Sequence, residues 1–259
     1  MKTNVAEDHE ALASDPQFRT ILGIRFFNGD GPQAIRKIEH GGLVLVPSGP
    51  GLKTLPYDQP YRESLLDADL VLPDSGLMVL LWNMLERDSL RRLSGLEYLR
   101  DLVEQPDFRA LHGTFWVMPS RESSERNLAW LRGQGIEIAP EDVYIAPRYG
   151  KPIEDPVLVE LLNQRRPRHV MLTVGSGVQE ILGHYLKRNL SYLPAIHCIG
   201  AAIAFLSGDQ VHIPVWADRM ALGWLLRCLW KPQQYVPRYW DARKLVPLML
   251  RERHRMPSA

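Results

Sequence analysis

The sequence has few cysteines. Its 259 residues include only Cys198 and Cys228, and neither belongs to a CxxC pair or lies near other metal-binding residues. This pattern argues against a disulfide framework and against a structural zinc site. It fits a protein of the reducing cytoplasm.

Long apolar runs and a strong net charge are also missing. No run reaches the roughly 20 apolar residues that a membrane-spanning helix needs. The N-terminal residues 1–20 are polar and do not resemble a signal peptide. The net charge is +1, so the composition gives no sign of nucleic acid as a partner. We expect a cytoplasmic protein in which any membrane contact is peripheral.

Several common catalytic signatures are absent. The eight histidines form no group with metal-ligand spacing, and the sequence contains no HExxH, P-loop or Ser-His-Asp order. We therefore predict neither a metal site nor a cofactor. A dinucleotide-dependent oxidoreductase is a distant alternative, because no complete GxGxxG fingerprint follows the first strand.

What the sequence does contain is an alternation of apolar strands and amphipathic helices. Predicted strands lie at residues 42–47, 69–72, 114–118, 136–138, 169–174 and 195–199. Predicted helices cover residues 61–68, 77–85, 120–132, 155–163 and 179–188, with others after Ser94 and from Gly200. The pattern predicts an α/β fold, a Rossmann-like parallel sheet with helices on both faces. We assign residues 1–20 to a polar leader, 21–213 to this core and 214–259 to a C-terminal helical appendage.

Ligands of such folds bind beyond the carboxyl ends of the strands, close to helix N-termini. Small and polar residues follow four of the predicted strands. They are Ser48, Asp74, Ser75, Gly76, Gly175, Ser176, Gly200 and Ala201. We expect a binding site at this edge of the sheet.

Asp74 is the candidate catalytic residue, because a carboxylate at a strand end can act as a general base. The alternative is that Asp74 only caps the next helix, and spacing alone favours this cap. The Gly-Ser-Gly loop that begins at Gly175 could bind a diphosphate through backbone N–H groups, or could be a simple tight turn. Gln179 and Glu180 follow it as candidates for contacts to a base or ribose, or as solvated first-turn residues.

The C-terminal segment is basic and aromatic. Residues 216–259 carry nine Lys or Arg against three acidic residues, and residues 216–230 are predicted as one helix. Arg219 and Arg227 would then lie on roughly one face, and with Arg238 could bind phosphate. Four tryptophans lie among them: Trp216, Trp224, Trp230 and Trp240. The mixture is typical of an interfacial membrane helix, although a solvated basic face with core tryptophans would also explain it.

Five segments in a fixed order carry a family resemblance. They are residues 59–76 (QPYRESLLDADLVLPDSG), 92–95 (RLSG), 175–180 (GSGVQE), 200–208 (GAAIAFLSG) and 214–239. In the family these positions resemble DPxFRxxLxxADLVLPDGxG, RVTG, GxPKQE, GGAFDFLAG and a Trp- and Arg-containing end. The chain resembles the WecG/TagA/CpsF glycosyltransferases from about Ile21 to Tyr239.

The resemblance implies an inverting, metal-independent transferase that moves a sugar from a UDP-sugar to a polyprenyl-pyrophosphate-linked acceptor. It makes Asp74 the base and places Arg92, Gln179 and Glu180 on the nucleotide-sugar side. It assigns Arg219, Arg227 and Arg238 to an appendage that contacts the diphosphate and the membrane. It also implies a location on the inner face of the cell membrane, and self-association as a homo-oligomer.

The sequence departs from the family pattern at several positions. The family's Thr-x-Asn near the first strand is Val46-Pro47-Ser48 here, and the Asp of AFDF is Ala204. The Pro-Lys of PKQE is replaced as well, by Gly177-Val178. These changes point to an altered donor sugar. They also support an alternative hypothesis, in which the chain is a catalytically degenerate scaffold that binds UDP-sugar or glycolipid.

Overall fold

The computed structural model describes residues 15–258, which are built on one eight-stranded sheet. The strands are β1 (Phe18–Ile21), β2 (Ile24–Phe27), β3 (Gly42–Leu45), β4 (Leu70–Val71), β5 (Thr114–Met118), β6 (Val143–Ile145), β7 (His169–Leu172) and β8 (Ala195–Cys198). Their spatial order is β1-β2-β4-β3-β8-β7-β5-β6, and all pairs are parallel except β1 and β2. The predicted Rossmann-like α/β fold is confirmed, with one antiparallel strand added at an edge.

Helices cover both faces of the sheet. Those of the core are α1 (Gly31–Lys37), α2 (Gly49–Leu52), α3 (Gln59–Leu66), α4 (Gly76–Glu86), α5 (Gly95–Leu102), α6 (Pro106–Arg109), α7 (Arg121–Gly133), α8 (Pro156–Arg165), α9 (Gln179–Asn189) and α10 (Ala202–Ser207). One apolar core includes side chains of α3, α4, α8 and α9, and the other includes side chains of α1, α5, α6 and α7. Strands β3, β5, β7 and β8 are buried at every residue, as expected for parallel strands covered on both sides.

The N-terminal hairpin has no counterpart among the predicted elements. Leu22 and Gly23 form its two-residue turn with φ of 51° and 74°, a twist that suits tight hairpins. Positive φ is uncommon for leucine, so the residue types at this turn give only a weak signal. Residues 18–20, which we assigned to the leader, therefore belong to β1; the rest of the leader up to residue 14 lies outside the described part of the chain.

One strand, which was predicted to begin at residues 136–138, begins later in the chain. Residues 136–138 form no strand, and the segment that pairs with β5 is β6, after a short 3₁₀ turn at Pro140–Asp142. Ile136 is buried, so its apolar character reflects packing against the core rather than pairing. A proline two residues past Ile138 delays the strand.

The C-terminal appendage is built differently from the prediction. It contains four helices: α11 (Val215–Arg219), α12 (Gly223–Trp230), α13 (Pro232–Ala242) and α14 (Leu245–Glu252). The single helix predicted for residues 216–230 is broken at Ala221, whose φ is +55°. Arg219 and Arg227 therefore lie on different helices, and the expectation that they share one helical face is wrong.

The appendage is packed firmly onto the core. Leu245 and Met249 of α14 are fully buried in the same apolar core as α3 and α4. The chain then passes the N-terminal hairpin, where Leu22 and Gly23 donate backbone hydrogen bonds to the carbonyls of Arg253 and His254. The two ends of the described chain are thus tied together.

A chain of polar side chains runs from the partly exposed Asp107 to three buried residues, His169, His197 and Tyr98, away from the carboxyl ends of the strands. Asp107 accepts a hydrogen bond from His169 Nε2 at 3.2 Å, since a carboxylate has no proton to give. With His169 neutral, its Nδ1 accepts from His197 Nε2 at 3.1 Å, and His197 Nδ1 accepts from the Tyr98 hydroxyl at 3.0 Å. Burial lowers the pKa of both histidines, which keeps them neutral and fixes the direction of every bond.

Candidate functional site

Four loops meet at the carboxyl edge of the sheet, because β4, β3, β8 and β7 are neighbours in that order. These loops contain the small and polar residues singled out in the sequence: Ser48 after β3, Asp74, Ser75 and Gly76 after β4, Gly175 and Ser176 after β7, and Gly200 and Ala201 after β8. The Ser48 and Ser176 hydroxyls are 3.5 Å apart across the sheet edge. The fold therefore brings these predicted positions to one edge of the sheet.

Asp74 does not cap the helix that follows it. Ser75 is the N-cap of α4, and its buried Oγ accepts a hydrogen bond from the backbone N–H of Met78 at 3.3 Å. The capping interpretation of Asp74 is therefore wrong. The Asp74 carboxylate is half-buried and is free of this structural role.

Arg92 holds Asp74 in place and joins it to the appendage. Its Nε donates to the Asp74 carbonyl at 2.7 Å, and Nη2 lies 3.2 Å from Asp74 Oδ1. The same guanidinium donates to the Asp218 carbonyl at 2.6 Å and contacts Asp218 Oδ1 at 3.2 Å. With these protein partners Arg92 positions the Asp74 turn against the appendage, and its contact with the nucleotide sugar stays a prediction.

Asp218 is a site residue that the sequence did not reveal. It lies on α11 with a side chain only 8 % exposed, and its Oδ2 accepts a hydrogen bond from Ser94 Oγ at 2.6 Å. Gly76 also approaches this region, since a Cβ there would lie 2.8 Å from the Ala221 Cβ. The one available signal was an isolated acidic residue beside Arg219 in a basic segment.

Gln179 and Glu180 are buried and fasten two of the loops. The Glu180 carboxylate accepts hydrogen bonds from the Gly177 N–H at 2.7 Å and from Ser176 Oγ at 3.3 Å. Burial nevertheless raises the pKa of Glu180. Gln179 accepts from the Gly200 N–H at 2.7 Å and donates to the Cys198 carbonyl at 3.3 Å. The two side chains are thus buried rather than solvated, and their contact with a base or ribose stays a prediction.

A cavity of about 270 Å³ opens beside these loops. Its walls come from α2 and the turn after it, from α3, from the loop after β7 and from α13. The lining residues are Pro50, Gly51, Lys53, Thr54, Asp58, Tyr61, Ser176, Gly177, Arg238 and Asp241. Of these, Ser176 and Arg238 were predicted as site residues, and Gly177 belongs to the predicted Gly-Ser-Gly loop. The others were given no site role in the sequence analysis.

The three predicted arginines have different surroundings. Arg238 is exposed and lines the cavity. Arg227 lies inside the appendage, where it donates to the Tyr239 hydroxyl at 2.8 Å and stacks on the Phe205 ring at 4.2 Å. Arg219 is exposed on α11. The three arginines are therefore divided among three helices, and Arg227 has a packing role.

Ionic contacts join the appendage to the core beside the site. Besides the contact of Arg92 with Asp218, Lys53 is paired with Asp241 of α13 at the cavity wall. Burial of the Lys53 ammonium, with the nearby charge of Lys244, lowers the pKa of Lys53. The appendage therefore forms one wall of the site.

The outer side of the appendage exposes large apolar side chains. We call Trp216, Met220, Trp224, Leu229, Trp230 and Trp240 the apolar appendage surface; each is at least 38 % exposed. The alternative that these tryptophans belong to the core is wrong.

Helix α4, whose sequence is apolar on nearly all sides, also exposes Leu80 and Met84. Within residues 15–258, no helix has the length and apolarity to cross a bilayer.

Comparison with known proteins agrees with the sequence resemblance. The profile of the glycosyl transferase WecG/TagA/CpsF family matches residues 19–259, which is nearly the whole chain. No curated protein matches the chain. The matched region includes the whole sheet after residue 18, the loops at its carboxyl edge and the appendage. The chain therefore belongs to the WecG/TagA/CpsF family and is a glycosyltransferase.

Proposed function

We propose that the protein transfers a sugar, with inversion, from a UDP-sugar to a polyprenyl-pyrophosphate-linked acceptor. The observation that carries this proposal is the position of the Asp74 carboxylate and its hydrogen bonds. Its carboxylate lies at the carboxyl edge of the sheet, is not used for helix capping, and is held through Oδ1 by Arg92. Among the described residues, Oδ2 of Asp74 makes no hydrogen bond and is available to an acceptor hydroxyl.

In this mechanism Asp74 removes the proton of the acceptor hydroxyl as the oxygen attacks the anomeric carbon. The new glycosidic bond forms as the bond from the anomeric carbon to the diphosphate oxygen breaks on the opposite side. UDP leaves with the electron pair, and the proton on Asp74 later passes to solvent. The reaction is balanced without a redox partner.

The developing charge on UDP requires stabilisation. Arg238 is the cation at the cavity rim best placed for this role, and Gly175 lies in an exposed loop just before α9. The resemblance implies that the reaction needs no metal ion, so arginine and backbone N–H groups would replace it.

The apolar appendage surface supports a peripheral contact with the inner face of the cell membrane. Tryptophans with nearby cations such as Arg219 and Lys231 are typical of segments that lie in the interface. Such a contact would bring the site to a lipid-linked acceptor. The same surface could instead be buried between copies of the chain in a homo-oligomer.

The test is transfer from a panel of UDP-sugars to a short-chain polyprenyl-pyrophosphate sugar, in detergent and with EDTA present. One active donor would identify the sugar and support metal independence. The Asp74→Asn variant should lose about 10²–10⁴-fold in rate while UDP binding is retained. Full activity of that variant would contradict the proposed role of Asp74.

A second candidate function is a non-catalytic scaffold. Val46 and Pro47 are buried where the family pattern has Thr-x-Asn, and Ala204 is buried at the position of its Asp. Both changes remove polar groups next to the site. UDP binding without turnover on any donor and acceptor would favour this second function.

A further inference from the structure

Helix α4 is apolar on two sides, and only one of these sides is buried. Its buried side chains, which face the core, are those of Met78, Val79 and Trp82. On the other side lie Leu77, Leu80 and Met84, which we call the apolar α4 face; they are 36 %, 57 % and 70 % exposed. Their spacing of three and four residues puts them on one side of the helix. A helix that is apolar all round is normally buried, so this face indicates a binding surface.

The apolar α4 face begins beside the proposed base. Ser75, the N-cap of α4, directly follows Asp74, so Leu77 lies in the first helical turn after the Asp74 turn. From Leu77 to Met84 the face extends about 10 Å along the helix, at about 1.5 Å per residue. A partner that covers this face therefore lies next to the site.

The apolar α4 face continues onto the appendage. A Cβ at Gly76 would lie 2.8 Å from the Cβ of Ala221, so the start of α4 touches the chain just past α11. Leu77 follows Gly76, and the exposed Met220 precedes Ala221. The apolar α4 face and the apolar appendage surface are therefore neighbours at the Asp74 turn.

The exposed charges that border this face are positive. The sequence has no charged residue between Asp74 and Glu86. At the far end of the face the Glu86 carboxylate is half-buried and lies 3.5 Å from Arg253 Nη1. Arg87 and Arg255 are exposed, and neither forms an ion pair with any of residues 15–258. An apolar face bordered by unpaired cations complements the surface of a bilayer that contains anionic lipids.

We propose that the apolar α4 face enters the headgroup region of an anionic bilayer, and that α4 and the appendage together form the surface that docks on the membrane. The inference rests on the proposed function, which requires a lipid-linked acceptor, and adds the core helix that meets the lipid. With α4 and α11 both at the bilayer, the Asp74 turn between them lies at the level of the headgroups. A sugar joined to a membrane lipid through a pyrophosphate is held at this level.

The test is the environment of a fluorophore placed on the apolar α4 face. Met84→Cys is made in a chain with Cys228→Ser, so that the label reacts at residue 84, because Cys198 is buried. Leu111→Cys in the same background is the matched control. Leu111 is about as exposed as Met84 and lies in the turn before β5, at the amino ends of the strands.

Both chains carry a nitrobenzoxadiazole label and are mixed with vesicles of phosphatidylglycerol and phosphatidylethanolamine, or of phosphatidylcholine. With the anionic vesicles we expect the label at residue 84 to shift its emission to shorter wavelength, and the label at residue 111 to stay unchanged. In the unlabelled chain, Leu80→Ser combined with Met84→Ser should weaken vesicle binding by about tenfold or more. Arg87→Gln should weaken it by about fivefold, the effect of one cation near an anionic surface. Thermal unfolding should be unchanged, since all these side chains are exposed.

Binding to the anionic vesicles without a shift at residue 84 would overturn this inference alone, because the appendage would then dock by itself. A shift at residue 84 that follows protein concentration in the absence of vesicles would also overturn it, since a second copy of the chain would then cover the face. Equal shifts with both kinds of vesicle would overturn the choice of an anionic bilayer. A wild-type chain that binds no vesicles would instead contradict the membrane contact of the proposed function, and this inference with it.

Discussion

Arg92 and Asp218 are 126 residues apart in the chain and are joined through both backbone and side chain, at 2.6 Å and 3.2 Å. The same guanidinium holds Asp74. The turn that carries the proposed base and the helix that opens the appendage are therefore fixed by one side chain. A substitution that disturbs helix α11 should therefore also disturb the turn that carries Asp74.

Replacing Asp218 with Asn tests this connection. The variant keeps its carbonyl but loses the charge that Arg92 and Ser94 contact, so the free energy of unfolding should fall by about 1–3 kcal/mol. Urea unfolding measures the loss, and limited trypsin digestion should cleave the appendage sooner. Glu104→Gln, which removes an exposed carboxylate near Arg109, should change stability by less than about 1 kcal/mol. Equal effects of both variants would contradict the connection.

Gln179 should matter through the two loops that it fastens. Gln179→Ala leaves the Gly200 N–H and the Cys198 carbonyl without this partner, at an expected cost of about 1–3 kcal/mol in unfolding free energy. Affinity for UDP should fall too, because the loops lose their positions. Gln164→Ala is the control, since Gln164 is exposed and bonded only to Glu160. A Gln179→Ala variant with wild-type stability and UDP affinity would contradict this prediction, because the loops would then keep their conformation without these hydrogen bonds.

The buried histidines predict a loss of stability in acid. The pKa of both histidines is lowered in the folded protein. At a pH below about 6.5, the pKa of a histidine in the unfolded chain, these residues are therefore protonated in the unfolded chain but remain neutral in the folded one. The contribution of the two neutral histidines to the free energy of unfolding is therefore fully present above about pH 6.5. Below that pH the free energy of unfolding should fall by up to about 1.4 kcal/mol per pH unit for each histidine. Urea unfolding between pH 7.5 and 5.5 measures this, and His169→Asn should give a flatter curve. A wild-type stability that does not change across this range would refute the assignment.

The apolar appendage surface predicts binding to vesicles. Trp224→Ser and Trp240→Ser each remove an exposed aromatic side chain, and together they should weaken sedimentation with anionic vesicles by about tenfold or more. Leu111→Ser removes an exposed apolar residue outside the appendage, in the turn before β5, and should have no effect. If the tryptophan variants bind vesicles normally but change the oligomeric state, the surface joins copies of the chain instead.

The features that could be predicted from the sequence are those that depend on a local pattern of residues. β3, β7 and β8 are buried and mostly apolar because they are covered on both faces, and the small residues after them marked the carboxyl edge of the sheet. The prediction failed where tertiary contacts determine the backbone conformation. The turn at Leu22 and the break at Ala221 need backbone conformations that their residue types do not suggest. The role of Asp218 became visible only when distant segments met.

The cavity takes one wall from Gly51 and Lys53 and another from Arg238 and Asp241. During synthesis these walls leave the ribosome far apart in time, because the five strands β4 to β8 are made between them. A nascent chain that has completed its sheet therefore still has an open, unfinished pocket. Activity should begin only when α13 and α14 have emerged and docked onto the core.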